Sequence, residues 1–274
     1  MMRPADNEFA GRFRTPPSAP VHALRGDHAP TPRAFSRQHA ASFSARESTL
    51  TKEFLMNKPS IGLAPEGAPI IGLLTVLSLC SAILDWWPVT IVAFILLWFS
   101  VHFFRDPERV VPQDENIAVS PADGRVVRME SRVDPMSGES RLCISIFMNI
   151  FSVHVNRVPV GGTVTAIRYL PGKFFNAALD KASTDNEQCL WQMRDDNGDS
   201  WTFVQIAGLI ARRIVPHAEQ GDSFKRGQRF GMIRFGSRVD VYLPADYTSA
   251  VSIGENVFAG QTVLAKKSAS EEEA

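Results

Sequence analysis

The sequence predicts a mostly β domain, folded as a barrel or sandwich and preceded by an α-helical membrane hairpin. The β prediction comes from residues 115–266, where short runs of β-branched and aromatic residues are separated by Gly, Pro, Asn and Asp. The hairpin prediction comes from residues 68–104, which are nearly all apolar and carry one charge, at Asp85. Lys and Arg number 29, as do Asp and Glu, and the unclustered basic residues argue against a nucleic-acid-binding surface.

Both ends of the chain are predicted to be disordered. Residues 1–55 are rich in Arg, Ser, Pro and Ala, show no helical or strand period, and lack the apolar segment of a secretory signal. We interpret them as a disordered N-terminal extension, and residues 268–274 as a disordered tail. The three cysteines, Cys80, Cys143 and Cys189, are scattered, which argues against a disulfide scaffold and favours a reducing compartment.

Residues 56–110 are predicted to form a membrane-associated helical hairpin. Two apolar runs, 69–84 and 88–104, are separated by a turn with Asp85 and two tryptophans, which suit a membrane–water interface. Each run is slightly shorter than the roughly 20 residues of a perpendicular span. The alternative is a buried hairpin in a soluble core, which is disfavoured because a protein of this size has little room to bury so long an apolar stretch.

Positive charges flank the hairpin on both sides, with Lys52 and Lys58 before it and Arg105 and Arg109 after it. Such residues favour the cytoplasmic side of a membrane. We therefore expect both ends of the hairpin at the inner face of the cell membrane. The domain that follows, residues 111–267, would face the cytoplasm.

A short internal repeat lies within the β domain. Residues 221–228 and 254–261 share the pattern Gly, acid, any, apolar, any, any, Gly, Gln. The pattern looks like the turn–strand–turn unit of lipoyl- and biotinyl-like barrel-sandwich domains, in which glycines form the tight corners. Two copies favour a pseudo-symmetric barrel-sandwich, without indicating its function.

The dipeptide Gly236-Ser237 precedes an alternating strand pattern. On its own, the pair is most simply a turn. It is also a bond that a protein can cut in itself, because a serine hydroxyl can attack the preceding carbonyl where glycine permits the backbone geometry. The resulting ester can eliminate and leave a pyruvoyl group on the new N-terminus.

Other candidate residues are individually weak. Asp123 lies in an Asp-Gly pair, which is usually only a turn, and a lone strand histidine such as His154 is more often structural. Lys173, Phe174 and Phe175 follow a Pro-Gly turn, and they suit either a binding mouth or an ordinary amphipathic loop. No pair of His or Cys residues has metal-ligand spacing, so no metal site is predicted.

Taken together, these segments resemble the phosphatidylserine decarboxylases, pyruvoyl-dependent enzymes, in their short membrane-linked form. The resemblance covers roughly residues 60–265. The most specific segment is residues 231–240, which read GMIRFGSRVD. The other matching segments are residues 103–107, 120–124, 151–159, 171–183 and 211–214.

The resemblance implies a proenzyme that cleaves itself between Gly236 and Ser237. A β chain would end at Gly236, and an α chain would run from Ser237, converted to a pyruvoyl group, to Ala274. This covalent cofactor would form a Schiff base with phosphatidylserine in the bilayer, and phosphatidylethanolamine and CO₂ would result. The implied role is phospholipid biosynthesis.

Residue roles follow from the same resemblance. His154 matches a family histidine that moves protons, and Asp123 matches an acid that activates the serine for cleavage. Many relatives have a second histidine three residues after the first, where this chain has Arg157. Either His154 serves both cleavage and decarboxylation, or Asp123 acts without a histidine relay.

Substrate contacts are assigned by position only. Arg157, Lys173, Phe174 and Phe175 are candidates for contacts with the lipid headgroup and acyl chains, and a homodimer is one candidate assembly. Two other functions compete: a pyruvoyl enzyme for a soluble amino acid, which the hairpin disfavours, and a membrane-anchored adaptor with a lipoyl-like sandwich. An adaptor of that kind would carry sustained heptads, which are absent from this sequence.

Overall fold

The computed structural model describes residues 62–177, 182–209, 214–234 and 236–268. The predicted N-terminal extension, residues 1–55, lies outside the described residues, as does the predicted tail beyond residue 268.

The apolar region forms two antiparallel helices, α1 (Ala68–Ile83) and α2 (Trp87–Phe103). A turn separates them because Asp85 adopts a positive φ of 56° and Pro88 cannot continue the first helix. At the other end, Ala64 N–H donates to Phe104 O at 2.7 Å and Asp106 N–H donates to Gly62 O at 2.8 Å. These bonds tie the two ends of the hairpin together. Residues Pro65–Ile83 are long and apolar enough to span a membrane, and Trp87–Phe103 is a shorter apolar helix.

The rest of the described chain is mostly β, with one short helix, α3 (Ala182–Asp185). The strands are β1 (Ile117–Val119), β2 (Gly124–Val133), β3 (Ser140–Met148), β4 (Val155–Arg157), β5 (Gly162–Leu170), β6 (Gln188–Asp195), β7 (Ser200–Ala207), β8 (Ile214–Pro216), β9 (Ser223–Phe224), β10 (Arg229–Ile233), β11 (Ser237–Tyr242), β12 (Tyr247–Ser249), β13 (Asn256–Val257) and β14 (Val263–Lys267). They form an eight-stranded sheet in the order β13-β2-β3-β11-β7-β6-β5-β9 and two three-stranded sheets, β1-β14-β12 and β4-β10-β8.

The two copies of the internal repeat occupy equivalent places in the large sheet. β9 lies in the first copy and pairs with the start of β5, while β13 lies in the second copy and pairs with the start of β2. The repeats therefore form the two edges of the eight-stranded sheet, and β11 and β7 meet at its centre. The repeat is structural, as its pseudo-symmetry predicts.

The core lies between the large sheet and the two small ones. Trp191 and Phe203 of the large sheet each pack edge-on against Phe230 of β10, with ring centroids 5.1 Å apart. A buried polar link joins the same layers, because Gln205 Nε2 donates to Asn156 Oδ1 at 2.8 Å. The sheets thus pack as a sandwich, and no closed barrel forms among the described strands. The mostly β fold with a preceding apolar helical hairpin is confirmed.

Candidate active site

The Gly236–Ser237 peptide bond lies at the entry to the central strand of the large sheet. Residues Ser237–Tyr242 pair with β3 on one side and β7 on the other. Gly236 has a φ of +63°, a left-handed conformation that glycine adopts without strain. The backbone therefore bends sharply at the bond that the sequence singles out.

The Ser237 side chain is buried at the end of the main core. Side chains alternate along a strand, so Ser237 shares a face with Val239 and Val241, which lie in that core. Within the described part of the chain, Ser237 Oγ has no hydrogen-bond partner. A buried hydroxyl without a partner is costly, and because Ser145 shares this feature, it is the neighbouring Gly236 with its positive φ that makes Ser237 the candidate nucleophile.

The carbonyl of Gly236 is approached closely by Gly208, which follows β7. A Cβ atom on Gly208 would overlap the Gly236 carbonyl oxygen and would also contact Ala177. Only glycine fits this position without displacing the candidate bond. The sequence analysis did not identify Gly208, because the need for glycine there arises from the contact with Gly236, which lies 28 residues later in the chain.

His154 contacts Gly236, one peptide unit before the candidate bond. Gly236 N–H donates to His154 Nε2 at 3.2 Å, and His154 Nδ1 lies 2.9 Å from Ser152 O. These partners require a neutral ring with its proton on Nδ1 and a lone pair on Nε2. The ring is fully buried and packs at 4.3 Å, centroid to centroid, on Phe103 at the end of α2.

Burial lowers the pKa of His154 from 6.5 to about 4, and the nearby charge of Arg105 lowers it further, while the hydrogen bond to Ser152 opposes the shift. The imidazole is therefore neutral at physiological pH. A neutral imidazole with an available lone pair can accept a proton from a serine hydroxyl.

Asp123 is buried at the turn before β2, and its carboxylate is occupied. Oδ2 accepts a hydrogen bond from Arg109 Nη2 at 2.7 Å, and Oδ1 accepts one from Ala259 N–H at 2.7 Å. The structure therefore joins Asp123 to the segment after the hairpin and to the second repeat. Among the described residues, neither His154 nor Ser237 is a hydrogen-bond partner of Asp123, whereas His154 accepts a hydrogen bond from the Gly236 amide.

Arg157 is also buried, and its guanidinium faces the connection between the hairpin and the β domain. Nη1 donates to Gly227 O at 3.0 Å, and Nη2 donates to Pro107 O at 3.0 Å and to Asp106 Oδ1 at 3.3 Å. Burial and the charge of Arg229 lower its pKa, and Asp106 partly opposes that shift. A lipid headgroup would have to displace these partners to bind Arg157.

The loop after β5 carries the other predicted contacts. Phe174 packs against the main core, Phe175 is 39% exposed, and Lys173 Nζ lies 5.8 Å from the centre of the Phe175 ring. Asn186 fixes this loop beside the site, since its Nδ2 donates to both Phe175 O and Ala207 O. Lys173 and Phe175 are therefore on the accessible side of the loop.

A buried ion pair directly follows the candidate bond. Arg238 Nε lies 2.7 Å from Asp240 Oδ1, and Arg238 also donates to Ala177 O at 3.1 Å and to Ser183 Oγ. These contacts hold α3 and the end of the loop against β11. The sequence signal was an Arg and an Asp two positions apart, which share one face of a strand.

No group of three or more His, Cys, Asp or Glu residues within the described ranges could hold a metal ion. The chemistry available here is that of a buried serine, a neutral histidine and a bent Gly–Ser bond.

Comparisons with known proteins identify the family of the chain. Residues 96–265 match the sequence model of the family described as phosphatidylserine decarboxylase. A phosphatidylserine decarboxylase proenzyme from Nitratidesulfovibrio vulgaris is 59% identical over 213 residues, which cover 78% of this chain and 98% of the relative. Those from Solidesulfovibrio magneticus and Burkholderia ambifaria are 54% and 47% identical, each over 77% of this chain and 99% of the relative. The chain belongs to the phosphatidylserine decarboxylase family, and it is therefore a carboxy-lyase.

Proposed function

We propose that this chain is a proenzyme that cuts its own Gly236–Ser237 bond and then decarboxylates phosphatidylserine at a membrane. The observation that carries the proposal is the buried Ser237 hydroxyl, which has no hydrogen-bond partner among the described residues and lies beside a glycine with positive φ. A serine kept without a hydrogen-bond partner in a core is suited to attack a neighbouring carbonyl.

Self-cleavage needs a base, and we assign that role to His154. Its Nε2 lone pair accepts the Gly236 N–H, one peptide unit from the bond, and in the proposed step it exchanges this partner for the Ser237 hydroxyl. As the serine oxygen attacks the Gly236 carbonyl carbon, His154 takes the hydroxyl proton and passes it to the departing Ser237 nitrogen, so the C–N bond breaks and an ester forms. Removal of the Ser237 α-proton then expels the Gly236 carboxylate, and water hydrolyses the resulting enamine to ammonia and a pyruvoyl group.

The pyruvoyl ketone supplies an electron sink for decarboxylation of an amine-bearing carboxylate. Position favours His154 as the residue that returns a proton to the substrate, because it contacts Gly236 and its Nε2 lone pair can first take a proton from the substrate ammonium group. Lys173 and Phe175 are the accessible candidates for headgroup and acyl-chain contacts. Arg157 and Phe174 remain candidates that require rearrangement, because both are packed into the structure.

Asp123 remains a candidate for activating Ser237. Its contacts with Arg109 and Ala259 suggest the substitution that tests this role. Its carboxylate would have to leave Arg109 to reach the site, so Arg109 would regulate that step. Asp123→Asn keeps the shape and the acceptor oxygen but removes the charge. Slow cleavage in this variant supports a catalytic acid, whereas normal cleavage limits Asp123 to holding the turn at Ala259.

The hairpin supports membrane localisation. In the two helices the buried residues include Ser78, Ser81 and Ser100, while large apolar side chains such as Leu73 and Ile83 are 70% and 80% exposed. Small residues inside and large apolar residues outside are typical of helices packed in lipid. Such a hairpin would hold the enzyme at the cytoplasmic face of the cell membrane, where its diacyl substrate resides.

Intact-mass analysis of the purified full chain tests the proposal. The expected result is two chains, the smaller beginning at a pyruvoyl group, with phosphatidylethanolamine formed from phosphatidylserine vesicles. Ser237→Ala should remain one inactive chain. Ser145→Ala is the matched control, since Ser145 is another buried serine without a partner, on the adjacent strand β3. An uncleaved wild-type chain that decarboxylates the lipid would overturn the pyruvoyl mechanism.

A further inference from the structure

We infer that one end of the large sheet, where β11 begins at Ser237 and β3, β5 and β7 finish, enters the membrane. The contact is made through an apolar rim of Phe151, Leu170, Phe175 and Leu209. The inference rests on the proposed function and adds how the site meets its lipid. It concerns side chains of the β domain, not the hairpin.

Strand register places the rim around the candidate bond. Ser237, at the start of β11, pairs with Met148 at the end of β3 and with Ala207 at the end of β7. The end of β5 reaches the same end of the sheet. Leu170 pairs with Gln188, which in turn pairs with Ile206, the residue before Ala207. The segments that follow these strand ends therefore surround Ser237.

Each of those segments exposes a large apolar side chain. Phe151 follows β3 and is 56% exposed, Leu209 follows β7 and is 64% exposed, and Leu170 and Phe175 are 40% and 39% exposed at the end of β5. The opposite end of the sheet is more polar. Its turns, residues 134–139 and 195–199, contain five acidic side chains. Arg141 and Lys267 pair with three of these acids, so the sheet has one apolar end and one polar end, and only the apolar end suits a lipid leaflet.

The rim is continuous with the base of the hairpin. Arg105 Nη2 donates to Phe151 O at 2.6 Å, and the rings of His102 and Phe151 lie 6.3 Å apart, centroid to centroid. The exposed helices need an apolar environment, so a leaflet that surrounds them also reaches Phe151. Arg105 and Lys173 lie beside Phe151 and Phe175, which places cations at the depth of lipid phosphates.

A nitroxide at residue 209 tests the depth of the rim. The label is attached at Leu209→Cys in the full chain, which also carries Cys80→Ser. The control label is attached at Val133→Cys, since Val133 is 67% exposed at the opposite end of the sheet. Cys143 and Cys189 are buried, and burial raises the pKa of each thiol to about 12, so neither competes for the label.

In vesicles that contain phosphatidylserine, the label at 209 should collide mainly with oxygen, which partitions into lipid. The label at 133 should collide mainly with an aqueous nickel chelate. Equal access to the nickel chelate at both positions would overturn the inference. Shielding of position 209 from both reagents would also overturn it, because a second copy of the chain or another protein would then cover the rim.

Kinetics provide the second readout. Leu209→Gln and Phe151→Gln should each raise the apparent KM for phosphatidylserine in vesicles by about tenfold, the order expected for removing one large apolar side chain from the interface. Turnover of a monomeric short-chain phosphatidylserine should not change, and Val133→Gln should change neither value. Equal losses on both substrates, or no loss on either, would contradict a membrane contact.

The two readouts separate this inference from the proposed function. Label depth requires neither self-cleavage nor turnover, so a chain that fails to cleave still reports the position of the rim. A deep label at 209 in an uncleaved chain would support the rim, and the pyruvoyl mechanism would then be judged from the cleavage of the unlabelled wild-type chain.

Discussion

The pH dependence of self-cleavage should show how far the fold lowers the pKa of His154. Burial lowers the pKa of this imidazole from 6.5 to about 4, so about 97% of it is neutral at pH 5.5. An ordinary histidine would be only about 9% neutral at that pH. If neutral His154 is the base, the cleavage rate should therefore be nearly constant from pH 7.5 to 5.5, where an unperturbed base would lose about tenfold.

Pulse-labelled proenzyme, made by cell-free synthesis in nanodiscs and shifted to buffers of different pH, provides the measurement. The rate of appearance of the two product chains on a denaturing gel is compared across the series. His154→Gln is the control and should remain uncleaved at every pH. A tenfold decrease between pH 7.5 and 5.5 in the unmodified chain would refute a buried neutral histidine as the base.

Two further predictions concern the same site. Gly208→Ala should slow cleavage by about a hundredfold, because its methyl group would displace the Gly236 carbonyl, whereas Gly72→Ala, at a glycine with open space around it, should cleave normally on the same gel. In the uncleaved Ser237→Ala chain, protons bind the unfolded His154 first, so its contribution to stability is lost as pH falls from about 6.5 towards 4. Denaturant titrations should show the free energy of unfolding decrease by about 2 kcal/mol more from pH 7 to pH 5 than in Ser237→Ala/His154→Gln.

The sequence predicted the hairpin closely because its signals are local. The predicted runs 69–84 and 88–104 became helices Ala68–Ile83 and Trp87–Phe103, since apolar composition and Pro88 determine where each helix begins and ends. The repeat was equally informative, because its glycines mark the corners of the two edge strands. Both predictions required only the residues within the element itself.

The site was less predictable because its contacts join distant segments. The ring of Phe103 packs on His154 from 51 residues away in the chain, and no periodicity reports such a pair. A charged residue in an alternating strand is usually assigned to the solvent side, so Arg238 was overlooked even though its partner Asp240 lies on the same face. The ion pair between Asp123 and Arg109 depends on the irregular segment between them, where pattern carries little information.

The central place of β11 has a consequence for the lifetime of the enzyme. If the chain is cut before Ser237, the shorter product begins with a strand whose six residues pair with β3 and β7, both of which belong to the longer product. The fragments could then separate only by opening these two ladders in the middle of the core together with the ladders β13–β2 and β14–β1. A prosthetic group made from Ser237 could not be replaced, because a new shorter chain could not exchange with the one already in the fold. Each molecule would therefore lose activity permanently once that group is chemically inactivated.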